Sequence, residues 1–322
     1  MSAPGVWKPS VDVEGRFDQL VPRLGDGQVF AIADERVLRL HPHVRAALRQ
    51  PNVTLASLKA GEGAKSLTTL ERLTRRALTL PRALTVLAIG GGTIGDVATV
   101  FAHVFKRGVQ RLVHVPTTLL AAVDSSVGGK GAVNVGAKNV LGVFHAADEA
   151  WLCRELFTTL TEAQRREGRV EALKMVVTLD ARRWRLWKKG LPVDHEVIRV
   201  ARELKTALVE KDPYETAGLR QVLNFGHTMG HVIESLSGYR VRHGEAVGLG
   251  MLFVLDLGVS RGVTPPELAR EVEQVLPVRR AELSRWLAPR YGRRTRALLA
   301  ADKKRGWILL EAPGRTREVP FS

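Results

Sequence analysis

The stretch LTVLAIGGGTIGD, residues 84–96, limits the fold more than any other. An almost continuous apolar run enters three glycines, and helical spacing follows from about Thr93 to Phe105. A strand this apolar is buried on both faces, as in a parallel sheet. A strand that turns directly into a helix is half of a βαβ unit. Other segments repeat the pattern. VFAIADERV (29–37) and NVTLASLKAG (52–61) predict strands, SLTTLERLTRRALTL (66–80) predicts a helix, and RLVHVPTTLL (111–120) predicts a strand stopped by Pro116. The first half is therefore expected to be an α/β, Rossmann-like domain.

After about Leu152 the strand signals fade. Segments 162–190, 194–211, 222–237, 243–260, 265–275 and 279–300 carry helical periodicity. The expected division is an α/β domain over 1–152 and a mostly α-helical domain over 153–322. A chain of 322 residues is long enough for two domains. No run is apolar enough to predict a membrane span, and the N-terminal stretch lacks the form of a signal peptide. The single cysteine, Cys153, excludes a disulfide framework or thiolate cluster. A cytoplasmic protein without membrane partners is expected. The formal net charge is +16, but the basic residues are dispersed in short clusters such as QRREGR and RYGRRTR. That pattern describes a solvated Arg-rich surface, and no nucleic-acid motif accompanies it. Small anionic ligands remain natural partners for such a chain.

Two constellations carry chemistry. GGGTIGD (90–96) would let a phosphate approach the backbone at a helix N-terminus. Its order differs from GxGxxG, so a nucleotide site and a plain tight turn both fit. LNFGHTMGHVIESLSGYRVRHGEAV (223–247) places His227 and His231 one helical turn apart, and His243 opens the next helix. Two histidines plus a carboxylate make a catalytic zinc set. Glu171, in an apolar helical stretch, is the candidate carboxylate, with Glu234 and Glu245 as rivals on local grounds.

Taken together, GGGTIGDVA (90–98), RGVQRLVHVPTTLLAAVDSSVGGKGAVN (107–134), KNVLGVF (138–144), LNFGHTMGHVIE (223–234), HGEAVGLGM (243–251) and DKK (302–304) resemble the 3-dehydroquinate synthase family of sugar-phosphate cyclases. The resemblance runs from about Val29 to about Leu310. It implies an N-terminal NAD-binding domain, a C-terminal helical metal domain, a homodimer, and an active site in the cleft between the domains. It implies Glu171, His227 and His243 as ligands of one divalent metal, zinc or cobalt, with His231 acting near the substrate phosphate. It sends Asp34, Glu62, Lys65, Gly91, Gly92, Asp96, Thr117, Thr118 and Thr159 to NAD. Asp124, Lys130 and Lys138 would serve both cofactor and substrate. Asn139, Lys174, Lys205, Arg220, Asn224 and Lys303 or Lys304 would line the substrate pocket, joined by the partner subunit's Arg107.

The implied reaction converts 3-deoxy-D-arabino-heptulosonate 7-phosphate to 3-dehydroquinate and phosphate, in the shikimate route to aromatic amino acids. It proceeds by transient NAD oxidation, elimination and aldol closure. The chain departs from the family pattern in places. KGAVNVGAKN is one residue shorter than the usual KTGVNHPLGKN, FHAA (144–147) replaces FYQP, and VEALK replaces AEVIK. These changes keep open a related cyclase such as 2-deoxy-scyllo-inosose synthase, whereas DSSVGGK matches the dehydroquinate form. An iron-type polyol or alcohol dehydrogenase shares the glycine turn but not DSSVGGK or DKK. A nucleic-acid-binding protein would leave the Glu/His/His set without a purpose.

Overall fold

The β-rich half builds a sheet whose central strands are buried on both faces. The computed structural model describes residues 7–288, 291–301 and 306–321. The chain divides into two compact units, Met1–Thr161 and Glu162–Ser322. The divide lies a few residues beyond 152 because Cys153 and Leu156 pack into the core of the first unit.

The first unit contains β1 (Val11–Glu14), β2 (Val29–Asp34), β3 (Val53–Leu58), β4 (Leu84–Gly90), β5 (Val109–Pro116), β6 (Lys130–Val135), β7 (Ala137–Phe144) and β8 (Glu149–Leu152). Its helices are α1 (Phe17–Leu20), α2 (Glu35–Leu40), α3 (Pro42–Ala47), α4 (Leu67–Ala77) and α5 (Gly92–Val104). Six strands form one sheet in the order β1-β8-β5-β4-β2-β3, and each pairing is parallel. Side-chain alternation splits the core between the two faces. Phe30, Ile32, Val86 and Ala88 meet Ile94 and Phe101 on one face. Val29, Ala31, Leu87 and Ile89 meet Phe17 and Trp151 on the other. β6 and β7 form a separate antiparallel hairpin.

The second unit contains α6 (Glu162–Leu179), α7 (Ala181–Trp187), α8 (Asp194–Lys211), α9 (His227–Leu236), α10 (His243–Ser260), α11 (Pro266–Val275), α12 (Arg280–Trp286) and α13 (Gly292–Ala301). The chain then forms a hairpin of β9 (Gly306–Ala312) and β10 (Arg315–Pro320), which the sequence does not predict. The helix expected over 162–190 is two helices. Asp180 breaks it by accepting the Arg182 and Arg183 N–H groups at 2.9 Å as the N-cap of α7. The helix expected from 222 starts instead at His227, because Gly226 is left-handed at φ +79°.

α10 is the central helix of this unit. By length and composition it is apolar enough to cross a membrane, a property the sequence reading missed. However, 61% of that stretch is buried, against α6, α9, α11, α12 and β9. Glycines allow the approach. A Cβ on Gly250 would lie 2.0 Å from the Gly226 carbonyl oxygen, and one on Gly244 would lie 2.4 Å from Glu167 Cα. Backbone cannot yield as a side-chain end can, so these positions set the spacing of α6, α9 and α10. Gly250→Ala is expected to destabilise the protein by about 2 kcal/mol or more, because overpacking here forces helices apart. Urea unfolding checks this, and an unchanged midpoint would contradict it.

Candidate metal centre and nucleotide-binding crevice

In the first unit, β3 lies on one side of β2 and β4 on the other, so the strand order reverses between β2 and β4. Ligands of open α/β sheets bind beyond the carboxyl ends of the strands at such a switch point. Asp34 ends β2, and Gly90 ends β4. Gly91 is the N-cap of α5 and has no side chain to satisfy the first N–H groups of the helix. A Cβ on Gly91 would crowd Thr118 Cγ2 at 3.2 Å, so the turn requires a small residue. Thr117 and Thr118 adjoin it, with the Thr117 N–H donating to the Gly90 carbonyl at 3.0 Å. Gly92 lies against Ser125. Asp34 is partly spent as the N-cap of α2, accepting from the Arg36 N–H at 2.9 Å.

A polar network joins the 61–65 turn to the shortened hairpin. Lys65 is buried, with Nζ 2.6 Å from Asp96 Oδ2, and it also donates to Asn139 Oδ1. Asn134 donates to Glu62 Oε2 at 2.9 Å and accepts from the Asn139 N–H at 2.8 Å. Lys138 Nζ lies 3.5 Å from Glu62 Oε1. Burial raises the Asp96 carboxyl against the pull of Lys65. Burial pushes Glu62 upward too, but Asn134, Lys138 and Lys65 prevail and hold it below its usual range. The structure thus gathers Glu62, Lys65, Asp96, Lys138 and Asn139. It adds Asn134, which sequence reasoning passed over inside the quoted KGAVN. Asp124 stands on a π-helical turn, Ala121–Ser125. Lys130 lies over the Phe144 ring at 5.9 Å. Thr159 is set apart, its hydroxyl 2.9 Å from His41 Nε2. Arg107 is exposed and donates to the Leu78 carbonyl at 2.7 Å.

In the second unit, α6, α9 and α10 converge on Glu171. Its carboxylate is fully buried. The Nε2 atoms of His227 and His243 each lie 3.5 Å from Glu171 Oε1, and that oxygen has no hydrogen-bond partner. The other oxygen, Oε2, accepts from Lys174, one turn further along α6. His227 Nδ1 faces the Phe225 carbonyl at 3.4 Å, an acceptor that favours the tautomer with its lone pair on Nε2, the nitrogen facing Glu171. Donors about 2.0–2.2 Å from a tetrahedral zinc are about 3.3–3.6 Å from one another, so the 3.5 Å spacing fits a metal. A buried oxygen with no donor needs a cation or a proton there. His231, Glu234 and His243 form a second close set that shares His243, whereas Glu245 joins neither.

In the same unit, Lys174, Lys205 and Arg220 are buried cations, and Asn224 is half-buried at the end of a 3-10 turn. Arg220 Nε lies 3.3 Å from Glu215. His231 is exposed one turn beyond His227, with ring centroids 5.7 Å apart. Lys303 and Lys304 lie outside the described residues. Burial pulls the His243 imidazole down, but Glu171 and Glu234 outweigh it and raise it to about 10. Burial pushes Glu171 upward, and Lys174 and His243 reverse this and hold it below the usual carboxylate range.

A two-unit chain of this kind has the dehydroquinate synthase-like fold. The crystal structure of a 2-deoxy-scyllo-inosose synthase complexed with carbaglucose-6-phosphate, NAD+ and Co2+ superposes with a TM-score of 0.84. It covers 97% of this chain and 94% of its own at 24% identity, a likeness of fold. Family models described as 3-dehydroquinate synthase N-terminal and C-terminal match residues 55–167 and 168–305. A 3-dehydroquinate synthase of Endomicrobium trichonymphae is 38% identical over 89% of this chain and 82% of its own length. A 2-epi-valiolone synthase of Actinosynnema mirum is 36% identical over 82% of this chain and 73% of its own. The chain belongs to the 3-dehydroquinate synthase family.

Without metal, His243 carries its proton at neutral pH. A charged His243 stabilises the apo fold below about pH 6.5, and that contribution is lost as pH rises through about 10. A ligating imidazole must be neutral, so metal affinity is expected to rise with pH across the neutral range. Calorimetry in buffers of different ionisation enthalpy at pH 7.5 should show about one proton released per zinc bound. Zero net release would contradict this protonation state.

Proposed function

We propose that the chain is an NAD- and metal-dependent sugar-phosphate cyclase that converts 3-deoxy-D-arabino-heptulosonate 7-phosphate to 3-dehydroquinate and phosphate. The observation that carries the metal assignment is the buried, donorless Glu171 Oε1 facing two imidazole nitrogens. Glu171, His227 and His243 would hold the ion. The crevice at Asp34, Gly91 and Gly92, with Glu62, Lys65, Asp96, Thr117 and Thr118, would hold NAD, as the family likeness implies. When bound, the metal supplies Lewis acidity toward carbinol and carbonyl oxygens, and NAD supplies a hydride acceptor that later returns the hydride.

The chain's own residues orient the substrate and stabilise its charge. Lys174 is 1% exposed, and its one described carboxylate partner is Glu171. With Glu171 Oε1 committed to a metal, less of the carboxylate's charge is left for this buried ammonium at Oε2, and the substrate would supply a second anion. Lys205 and Arg220 add further buried positive charge. Charge-assisted hydrogen bonds to a carboxylate and a phosphate are the strong ones. Exposed His231 would hold or pass a proton at the substrate phosphate, as the family likeness implies. The assembly we propose is a homodimer, with the partner subunit's Arg107 reaching the substrate.

The 36% identity to a 2-epi-valiolone synthase and the altered stretch over 130–147 favour, as a second reading, a cyclase for a sugar phosphate without a carboxylate. Phosphate release from 3-deoxy-D-arabino-heptulosonate 7-phosphate, sedoheptulose 7-phosphate and glucose 6-phosphate, at equal NAD and zinc, separates the two. The heptulosonate is expected to react fastest, and faster turnover of either carboxylate-free sugar would overturn the named substrate. His227→Ala is expected to lose bound metal. His231→Ala should keep the metal and lose roughly 10²-fold or more in kcat, as for a proton-transfer residue. Metal analysis and steady-state rates check both, and metal loss in both variants would contradict the division of roles.

A further inference from the structure

We infer that Glu234 is a positioning residue for the metal centre, holding the His243 ring from behind so that Nε2 faces Glu171 and His227. The inference rests on the metal reading proposed above. Glu234 lies on α9, seven residues after His227 and therefore on the same stripe of the helix. It is 5% exposed. A carboxylate buried to that extent needs a cation or donors to stay ionised. Its Oε2 lies 3.5 Å from His243 Nδ1, while His243 Nε2 lies 3.5 Å from Glu171 Oε1. The two carboxylates thus take opposite edges of one imidazole.

An imidazole nitrogen that carries a hydrogen cannot ligate. If Nδ1–H donates to Glu234, the lone pair sits on Nε2, the nitrogen directed at the other two ligands. His227 is treated alike, its Nδ1 facing the Phe225 carbonyl at 3.4 Å. Each histidine therefore has an acceptor behind it, a backbone carbonyl in one case and a carboxylate in the other. The competing arrangement would make Glu234 itself a ligand together with His231 and His243. It would require His243 to ligate through Nδ1 and would recruit the exposed His231. It would also leave Glu171 Oε1, fully buried and without a hydrogen-bond partner, with no metal to face. The first arrangement satisfies that oxygen.

The test uses full-length protein stripped of metal by chelator, with Co(II) as the probe. Visible absorption reports the ligand field, and competition with a chelator gives the affinity. Glu234→Gln is nearly isosteric and retains an acceptor, so about a tenfold loss of Co(II) affinity is expected. Glu234→Ala should lose about a hundredfold, with a shifted cobalt spectrum. Circular dichroism of the metal-free proteins should match wild type for the Gln variant, which keeps the test valid if the Ala variant folds poorly. Wild-type affinity and spectrum in the Gln variant would overturn the inference. Normal Co(II) binding by Glu171→Gln, together with none by Glu234→Gln, would make Glu234 a ligand and overturn it too. Absence of Co(II) binding by wild-type protein would instead overturn the metal reading on which it rests.

Discussion

Close backbone contact between α10 and its neighbours α6 and α9 is the constraint on which the second unit depends. Gly250 against the Gly226 carbonyl and Gly244 against Glu167 leave no room for even a methyl group. Because α6 meets α10 at Glu167, one turn before Glu171, and α9 meets it at Gly226, beside His227, the first residues of α9 and α10 point at the same buried carboxylate. Helices separated by ordinary side chains stand about 8–10 Å apart. Here the Nε2 atoms of both imidazoles come within 3.5 Å of the same Glu171 oxygen. The glycines thus trade helix propensity for the close approach of Glu171, His227 and His243.

The first unit meets the parallel problem with dipoles and paired charge. Its glycine-capped α5 presents unsatisfied N–H groups where the strand order reverses. Acidic Asp96 and Glu62 are balanced there by Lys65, Lys138 and Asn134. A ligand with both hydroxyls and phosphates has partners of each kind in that network. The hairpin of β6 and β7, shortened relative to the family pattern, stays tied to this turn through Asn134 and Asn139. The departure in length has therefore not detached the loop from the polar residues of the crevice.

Much of this was legible in the sequence because burial leaves periodic signals. β2 and β4 are nearly continuous apolar runs, and α8 and α10 occupy the residues whose spacing predicted them. The hairpins were not legible. β7 is exposed along nearly its whole length, so it lacks the alternation that marks a half-buried strand. β10 carries charges at Arg315, Arg317 and Glu318, which blur the alternation. β1 and β8 are four residues each, too short for a period to show. At the site, local sequence left Glu171, Glu234 and Glu245 as rivals. What separates them is tertiary: which oxygen is buried without a donor, and which nitrogen of His243 it faces. Asn134 escaped notice because its side-chain partner Glu62 lies 72 residues away along the chain.

The central claim is that three helices hold a ready metal cage at Glu171, His227 and His243. Anomalous X-ray scattering at the zinc edge, from crystals of the zinc-loaded protein, tests it most directly. The account predicts one strong peak bonded to Glu171 Oε1 and to the Nε2 atoms of His227 and His243, at about 2.0–2.2 Å from each. A peak bonded to His231, Glu234 and His243 Nδ1, or no peak among these helices, would contradict it.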